Sequence, residues 1–143
     1  MISLIPVRQS DWNLLGIHWK DKYYIDTCPP FGLRSAPFLF NQLANAIHWI
    51  LQQQYGIHHL LHYLDDFLTA GPANSNTCQQ NLSYMLSLCN KIGAPIKAEK
   101  VEGPATRLTF LGIVLDTVTM EASISSERKT ALLTAIHSFC ASK

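Results

Sequence analysis

Two adjacent carboxylates, Asp65 and Asp66, interrupt an otherwise apolar run in the stretch from His58 to Gly71, HHLLHYLDDFLTAG. Leu60, Leu61, Tyr63 and Leu64 precede them, and Phe67 and Leu68 follow. Aromatic and aliphatic residues on both sides of a short polar pair predict two short strands meeting at a tight turn, where Asp tolerates the backbone required. Such a hairpin holds both carboxylates at the rim of a sheet. Hard oxygen donors on a rigid hairpin suit Mg²⁺ or Mn²⁺, and Mg²⁺ is commonly bound by one or two carboxylates together with substrate phosphates. The pair therefore points to phosphoryl chemistry. An Asp-Asp dipeptide also serves as a plain polar turn, so the rest of the chain has to weigh in.

A chain of 143 residues with 48% hydrophobic residues is about one domain, long enough to bury a core. Its formal net charge of +1 gives no basic excess, so any contact with nucleic acid has to come from local placement of charge. Cys28, Cys78, Cys89 and Cys140 show no C-x-x-C spacing, and no secretory leader opens the sequence, which argues against a disulfide framework or a zinc ribbon. They read as reduced, mostly buried thiols. No apolar run reaches the ~18 residues of a membrane span. The expectation is a soluble intracellular protein of the cytoplasm or nucleus, without a membrane partner.

In chain order, MISLIPV reads as the tail of an element, and Arg8-Gln9-Ser10-Asp11 is turn-prone. Segments Leu14 to Trp19 and Tyr23 to Cys28 flank Lys20-Asp21-Lys22 as a hairpin. Pro29-Pro30-Phe31-Gly32 stops the second strand. A helix then runs over Ser35–Tyr55, with Ser35 as cap, Pro37 in the first turn, and Leu39, Phe40, Leu43, Ile47, Ile50 and Leu51 at helical spacing. After the carboxylate hairpin, Asn76 caps a helix over Thr77–Ile92, whose apolar face is Leu82, Met85, Leu86, Cys89 and Ile92, and Gly93 ends it. Ile96 to Gly103 reads as a short extended piece. Leu108 to Leu115, LTFLGIVL, reads as an apolar strand with a bulge or close approach at Gly112. Thr117 to Ala122 returns as a short strand, and Ser126 to Cys140 forms a last helix with Leu132, Leu133, Ile136 and Phe139 on one face. The predicted class is α+β, a mainly antiparallel sheet with two or three helices on one face and the other face free.

The unit Tyr63-Leu64-Asp65-Asp66 resembles the Tyr-x-Asp-Asp motif of reverse transcriptases. Pro30-Phe31-Gly32-Leu33-Arg34-Ser35-Ala36-Pro37, followed by Phe40-Asn41, resembles the Pro-x-Gly-x-x-x-(Ser/Ala)-Pro-x-x-Phe signature that precedes it. Downstream, Glu99-Lys100 resembles the family's lysine-bearing segment, and Phe110-Leu111-Gly112 its primer-gripping hairpin. HYLDDFLTAG and EKVEGPATRLTFLGIVLD look most like the DIRS-like tyrosine-recombinase retrotransposons, with gypsy-like elements next. Pro29 departs from the leucine of the family pattern.

That resemblance implies the palm domain of an RNA-directed DNA polymerase, acting on an RNA or DNA template with a primer and an incoming dNTP. It implies Asp65 and Asp66 as catalytic metal ligands, Lys100 as the residue that protonates or neutralises the leaving pyrophosphate, and Phe31, Gly32, Arg34 and Tyr63 around the incoming nucleotide. Phe110, Leu111 and Gly112 would hold the primer end. It also implies a further metal-binding aspartate just before Met1, with Ile2 where the family carries an aromatic that excludes the ribose 2′-hydroxyl. Fingers would lie upstream and most of a thumb downstream, so residues 1–143 are expected to be a partial palm, inactive alone.

Two other readings stay open. His58, His62 and Asp65 would share a face at metal-ligand spacing if the segment were helical, as in a zinc hydrolase. A relic or co-opted palm that binds nucleic acid or protein without catalysis would keep the aspartates only as a turn.

Overall fold

The computed structural model describes residues 5–141, so Ile2 and the residues around Met1 lie outside the described residues. The chain forms two compact units, Met1–Lys100 and Val101–Lys143.

In the first unit, a 3₁₀ helix over Gln9–Leu14 leads to β1 (Gly16–Trp19) and β2 (Lys22–Ile25), paired antiparallel. Lys20 and Asp21 form the two-residue turn with φ of 47° and 59°, the sign pattern of the hairpin turn whose twist matches that of its strands. Next comes α1 (Ala36–Tyr55), then β3 (Leu60–Tyr63) and β4 (Asp66–Thr69), paired antiparallel, and then α2 (Thr77–Lys91). A 3₁₀ turn over Ala98–Lys100 replaces the extended piece expected there. Pro95, immediately before that piece, has no N–H to donate to a strand ladder.

Burial on α1 falls on Ala36, Phe40, Ala44, Ile47 and Leu51, a run of three- and four-residue steps. Leu39, expected on this face, is instead exposed, because the small Ala36 and Ala44 take the close-contact stripe. Gly56 ends the helix at φ 67° with its N–H bonded to the carbonyl of Leu51, and the N–H of Ile57 reaches the same oxygen at 3.2 Å. That left-handed step is cheap only for glycine, and it folds Ile57 back under the helix. Ile47, Leu51, Ile57, Leu60 and Leu88 form the core, with Leu43, Ile50, Tyr55, Phe67 and Met85 packed around it.

Neither expected cap is made. Ser35 and Asn76 stand at the N-cap positions, yet neither side chain bonds a free N–H of its helix. Ser35 already has helical φ/ψ of −85° and −15°, and the side-chain cap needs an extended backbone at that position. The buried face of α2 is also rotated from the one expected: Asn81, Leu88 and Cys89 are inside, whereas Leu86 and Ile92 are exposed. The cysteines differ too, since Cys89 alone is buried, Cys28 and Cys78 are half-buried and Cys140 is exposed.

The second unit is a three-stranded antiparallel sheet in the order β5 (Arg107–Phe110), β6 (Ile113–Asp116), β7 (Glu121–Ile124), followed by α3 (Ser126–Ala141). LTFLGIVL is thus two strands and a turn rather than one strand. Leu111 and Gly112 carry φ of 52° and 78°, and a Cβ on Gly112 would lie 2.5 Å from Nη1 of Arg128. The returning strand begins at Glu121, later than expected, because Asp116 closes the intervening turn by accepting the N–H groups of Val118 and Thr119 at 2.9 and 3.1 Å. Those bonds, Thr119 first, hold its carboxyl below the ordinary range. On α3, Leu132, Leu133, Ile136 and Phe139 are exposed, so the described residues of this unit do not cover the helix's apolar residues.

The sheet is divided among three separate ladders, β1-β2, β3-β4 and β5-β6-β7, instead of running continuously. Hairpin loops of two residues, or four between β6 and β7, pair each strand with its chain neighbour and leave no length for a strand to be inserted between them. The architecture remains α+β, antiparallel hairpins with helices packed on them.

Two measurements check this packing. Leu51 is 1% exposed, so Leu51→Ala is expected to cost about 2–5 kcal/mol in urea unfolding, against less than about 0.5 kcal/mol for Leu39→Ala at 40% exposure. In the β3–β4 turn, Leu64 sits at φ 52°, where a β-branched side chain is worst placed. Leu64→Val should therefore cost at least about 1 kcal/mol, and Leu64→Gly should be tolerated with a far smaller change.

Candidate active site

The β3–β4 hairpin is organised by the period of its strands. Leu60 pairs with Thr69 and His62 with Phe67, and Leu60 and Phe67 from these pairs join the helical core. Leu61 pairs with Leu68 and Tyr63 with Asp66 on the opposite face, because successive strand residues alternate sides. Tyr63 is 61% exposed. Leu64 and Asp65 make the turn, and both Asp65 and Asp66 are exposed.

The left-handed position of this turn falls on Leu64, not on either aspartate. Asp65 therefore occupies the second turn position and Asp66 the first residue of β4, which sets the two carboxylates at the solvent end of a hairpin anchored by its other face. Holding a leucine there costs about 1–2 kcal/mol, the kind of backbone strain that surrounding structure has to hold in place.

Two interactions fix the hairpin to the helices besides apolar packing, and a ring stack within the hairpin supports one of them. Nδ1 of His48, on α1, lies 2.7 Å from Nδ1 of His62. The His62 ring stacks on Phe67, centroids 5.2 Å apart and planes 19° off parallel. On α2, Nδ2 of Asn81 donates to Oγ1 of Thr69 at 2.9 Å, and that hydroxyl donates to the carbonyl of His59 at 3.0 Å. Burial, and then the nearby His48, push the His62 imidazole below its ordinary range.

His48 carries no local signal, and Asn81 only its helical spacing from buried neighbours. His48 stands 14 residues before its partner, and Asn81 is a polar residue on a face read as apolar from its neighbours. A 3.6-residue count through Asn81, Met85 and Leu88 would have found the second, and nothing short of the helix-to-strand docking would have found the first.

The other expected site residues are distributed as follows. Phe31, Gly32 and Arg34 lie in the exposed loop before α1, with Phe31 94% exposed and Gly32 at φ 90°. This loop is held by its own turns, Leu33 N–H to Pro30 O at 3.3 Å and Ala36 N–H to Leu33 O at 3.0 Å. No hydrogen bond among the described residues ties it to the carboxylate hairpin. Lys100 is exposed at the end of its 3₁₀ turn. Phe110, Leu111 and Gly112 belong to the second unit, at the end of β5 and in its turn. Of the expected residues, the structure brings Tyr63, Asp65 and Asp66 together on one hairpin.

As metal donors, two hard carboxylates on one turn fit an ion that completes its shell with water and phosphate oxygens. Among the described residues, no group of three or more His, Cys, Asp or Glu side chains gathers to hold a metal. The zinc arrangement on a helix is overturned by the conformation itself: His62 is on a strand and Asp65 in a turn, so His58, His62 and Asp65 share no helical face.

The chain is 26% identical over 117 residues to the Gag-Pol polyprotein of baboon endogenous virus (strain M7), which covers 78% of the chain and 7% of the polyprotein. It is 30% identical over 92 residues to the Gag-Pro-Pol polyprotein of human T-cell leukemia virus 2, covering 64% and 6%. The chain thus spans less than a tenth of the length of these relatives. Its fold is similar to the foamy viral protease-reverse transcriptase solved in complex with dsDNA, with a TM-score of 0.75 at 19% identity over 90% of this chain and 25% of that one. The same viral protein solved with an RNA/DNA hybrid gives a TM-score of 0.69 at 19% identity over 92% and 17%. Residues 5–115 match the family described as reverse transcriptase (RNA-dependent DNA polymerase), most of the chain including the carboxylate hairpin, and the chain belongs to that family.

Proposed function

We propose that this chain supplies the metal-binding hairpin of a template-directed DNA polymerase that copies RNA or DNA by nucleotidyl transfer. One observation carries the reading: Asp65 and Asp66 stand exposed at the tip of a hairpin whose opposite face is locked into the helical core. Rigid carboxylates open to solvent are suited to receive an ion and a triphosphate together. Family membership supports the same assignment.

In this reading Asp65 is the principal ligand and Asp66 the weaker one, held by its pairing with Tyr63. Mg²⁺ or Mn²⁺, when bound, supplies activation of the primer 3′-hydroxyl and charge stabilisation of the departing pyrophosphate. Phe31 offers a face for stacking, Gly32 allows a close backbone approach, and Arg34 a planar donor set for phosphate. Lys100 serves as a point charge or proton donor to pyrophosphate. Phe110, Leu111 and Gly112 hold the primer end. The third carboxylate of the site comes from a strand outside these 143 residues, so the hairpin alone is incomplete. The wording of HYLDDFLTAG and EKVEGPATRLTFLGIVLD supports a DIRS-like retroelement as the source.

Two experiments test this. Mn²⁺ added to the chain should broaden the amide resonances of Tyr63 to Phe67 first, and Asp65→Asn should weaken that binding at least about tenfold; equal broadening in the variant would remove the metal assignment. In primer extension, the 143-residue chain is expected to incorporate nothing. A longer polypeptide bearing an aspartate strand ahead of Leu4 should extend a primer with Mg²⁺, and Asp65→Asn should lower that rate by at least about 100-fold, some 2.7 kcal/mol of transition-state stabilisation. Template-dependent incorporation by the 143-residue chain would overturn the need for an outside carboxylate.

A further inference from the structure

The hairpin that carries the carboxylates is fastened to α1 by two imidazoles, and their chemistry differs from that of any apolar contact. His62 projects from β3 on the face opposite Asp66 and meets His48 at 2.7 Å between Nδ1 atoms, with the rings edge to face at a centroid distance of 4.8 Å. At that separation one Nδ1 carries hydrogen and donates to the lone pair of the other. The two rings are therefore opposite tautomers. We infer that His48 and His62 are positioning residues for the Asp65-Asp66 turn, a proton-sensitive latch that seats the hairpin on α1 while the pair holds fewer than two extra protons.

The proton count follows from the bond. A first added proton can sit on the outer Nε2 of the donor ring and leave the Nδ1–H···Nδ1 bond in place. A second has only the shared lone pair to take. Both Nδ1 atoms then carry hydrogen and two cations face each other, so the latch opens by repulsion.

Nothing charged on the packed elements offsets that repulsion. Between Ala36 and Tyr55, α1 contains no Asp, Glu, Lys or Arg, and His48 and Tyr55 are its titratable groups. Tyr55 is two helical turns away and accepts from Lys91, whose Nζ lies 3.4 Å from its hydroxyl. From β4 the ring against His62 is Phe67, and Asp66 is on the other face with Tyr63. On α2, the polar residue reaching the hairpin is the neutral Asn81, and the Cys89 thiol is pushed up by burial.

The direction of the effect follows from the lowered basicity of His62. A histidine harder to protonate when folded than when unfolded stabilises its neutral contact fully above the ordinary value of 6.5. That contribution is lost as the pH falls through the lowered value. The carboxylate turn is thus held at neutral pH and loosened in acid. His62 lies three residues before Asp65, and its rung with Phe67 is one step from the Tyr63–Asp66 rung, so loosening reaches the turn through both strands.

This inference rests on the proposed metal-binding role only for what the hairpin carries, and its test does not need the metal. Amide hydrogen exchange of the 143-residue chain is followed by NMR at pH 7.5 and pH 5, corrected for intrinsic rates, for β3–β4 against the α1 core. Protection of the β3–β4 amides is expected to fall about fivefold more than that of α1, the worth of one net hydrogen bond. In His48→Gln, whose amide can still donate to Nδ1 of His62 but does not titrate, protection at pH 7.5 should be retained and the drop abolished. His48→Leu should lower protection at both pH values. The ¹⁵N shifts of the two imidazoles report the pair directly in the unmodified chain. Identical pH profiles in the unmodified chain and His48→Gln, or imidazole shifts showing two unlinked rings, would overturn the latch. Loss of the Mn²⁺ effect at Tyr63 to Phe67 with the pH profile intact would instead remove the metal reading and leave the latch standing.

Discussion

The site depends on the docking of one short hairpin against one helix. β3 and β4 are four residues each, too short to be stable as an isolated pair. What holds them is the burial of Leu60 against Leu51, Ile57 and Leu88, together with the imidazole pair and the Asn81 to Thr69 bond. The side chains that do this holding all come from the face opposite Asp66. A strand's alternation thus separates the anchoring function from the ligand-bearing one with no extra structure.

The polar fastenings add direction to that docking. Apolar packing is tolerant of small slides, whereas a 2.7 Å imidazole contact and a 2.9 Å amide-to-hydroxyl bond set a register. Such a register suits a turn that keeps a leucine at φ 52°. Strain of that kind persists only where the surroundings determine the backbone, and here both strands of the turn are tied to helices. The second unit shows the looser case: its Leu111-Gly112 turn places glycine at one of two left-handed positions, and its helix buries none of its side chains.

Much of the fold was legible before the structure. The carboxylate hairpin and the two helices of the first unit follow from local pattern, since a 3.6-residue repeat and a 2-residue alternation each act over a few residues. The errors also have local causes. LTFLGIVL read as one strand because Leu111 is apolar, and hydrophobicity does not report a positive φ. The buried face of α2 is offset from its aliphatic residues because Asn81 has a partner inside, the Thr69 hydroxyl.

Sequence by itself determined the Tyr63 to Asp66 unit, its hairpin form and the family to which the chain belongs, because these depend on neighbouring residues and their order. Tertiary structure decided that Asn81 is inside and that His48 meets His62 across 14 positions of chain. Contacts of that range arise when an element docks, and docking is set by the summed fit of many side chains, none of which announces its partner in the sequence.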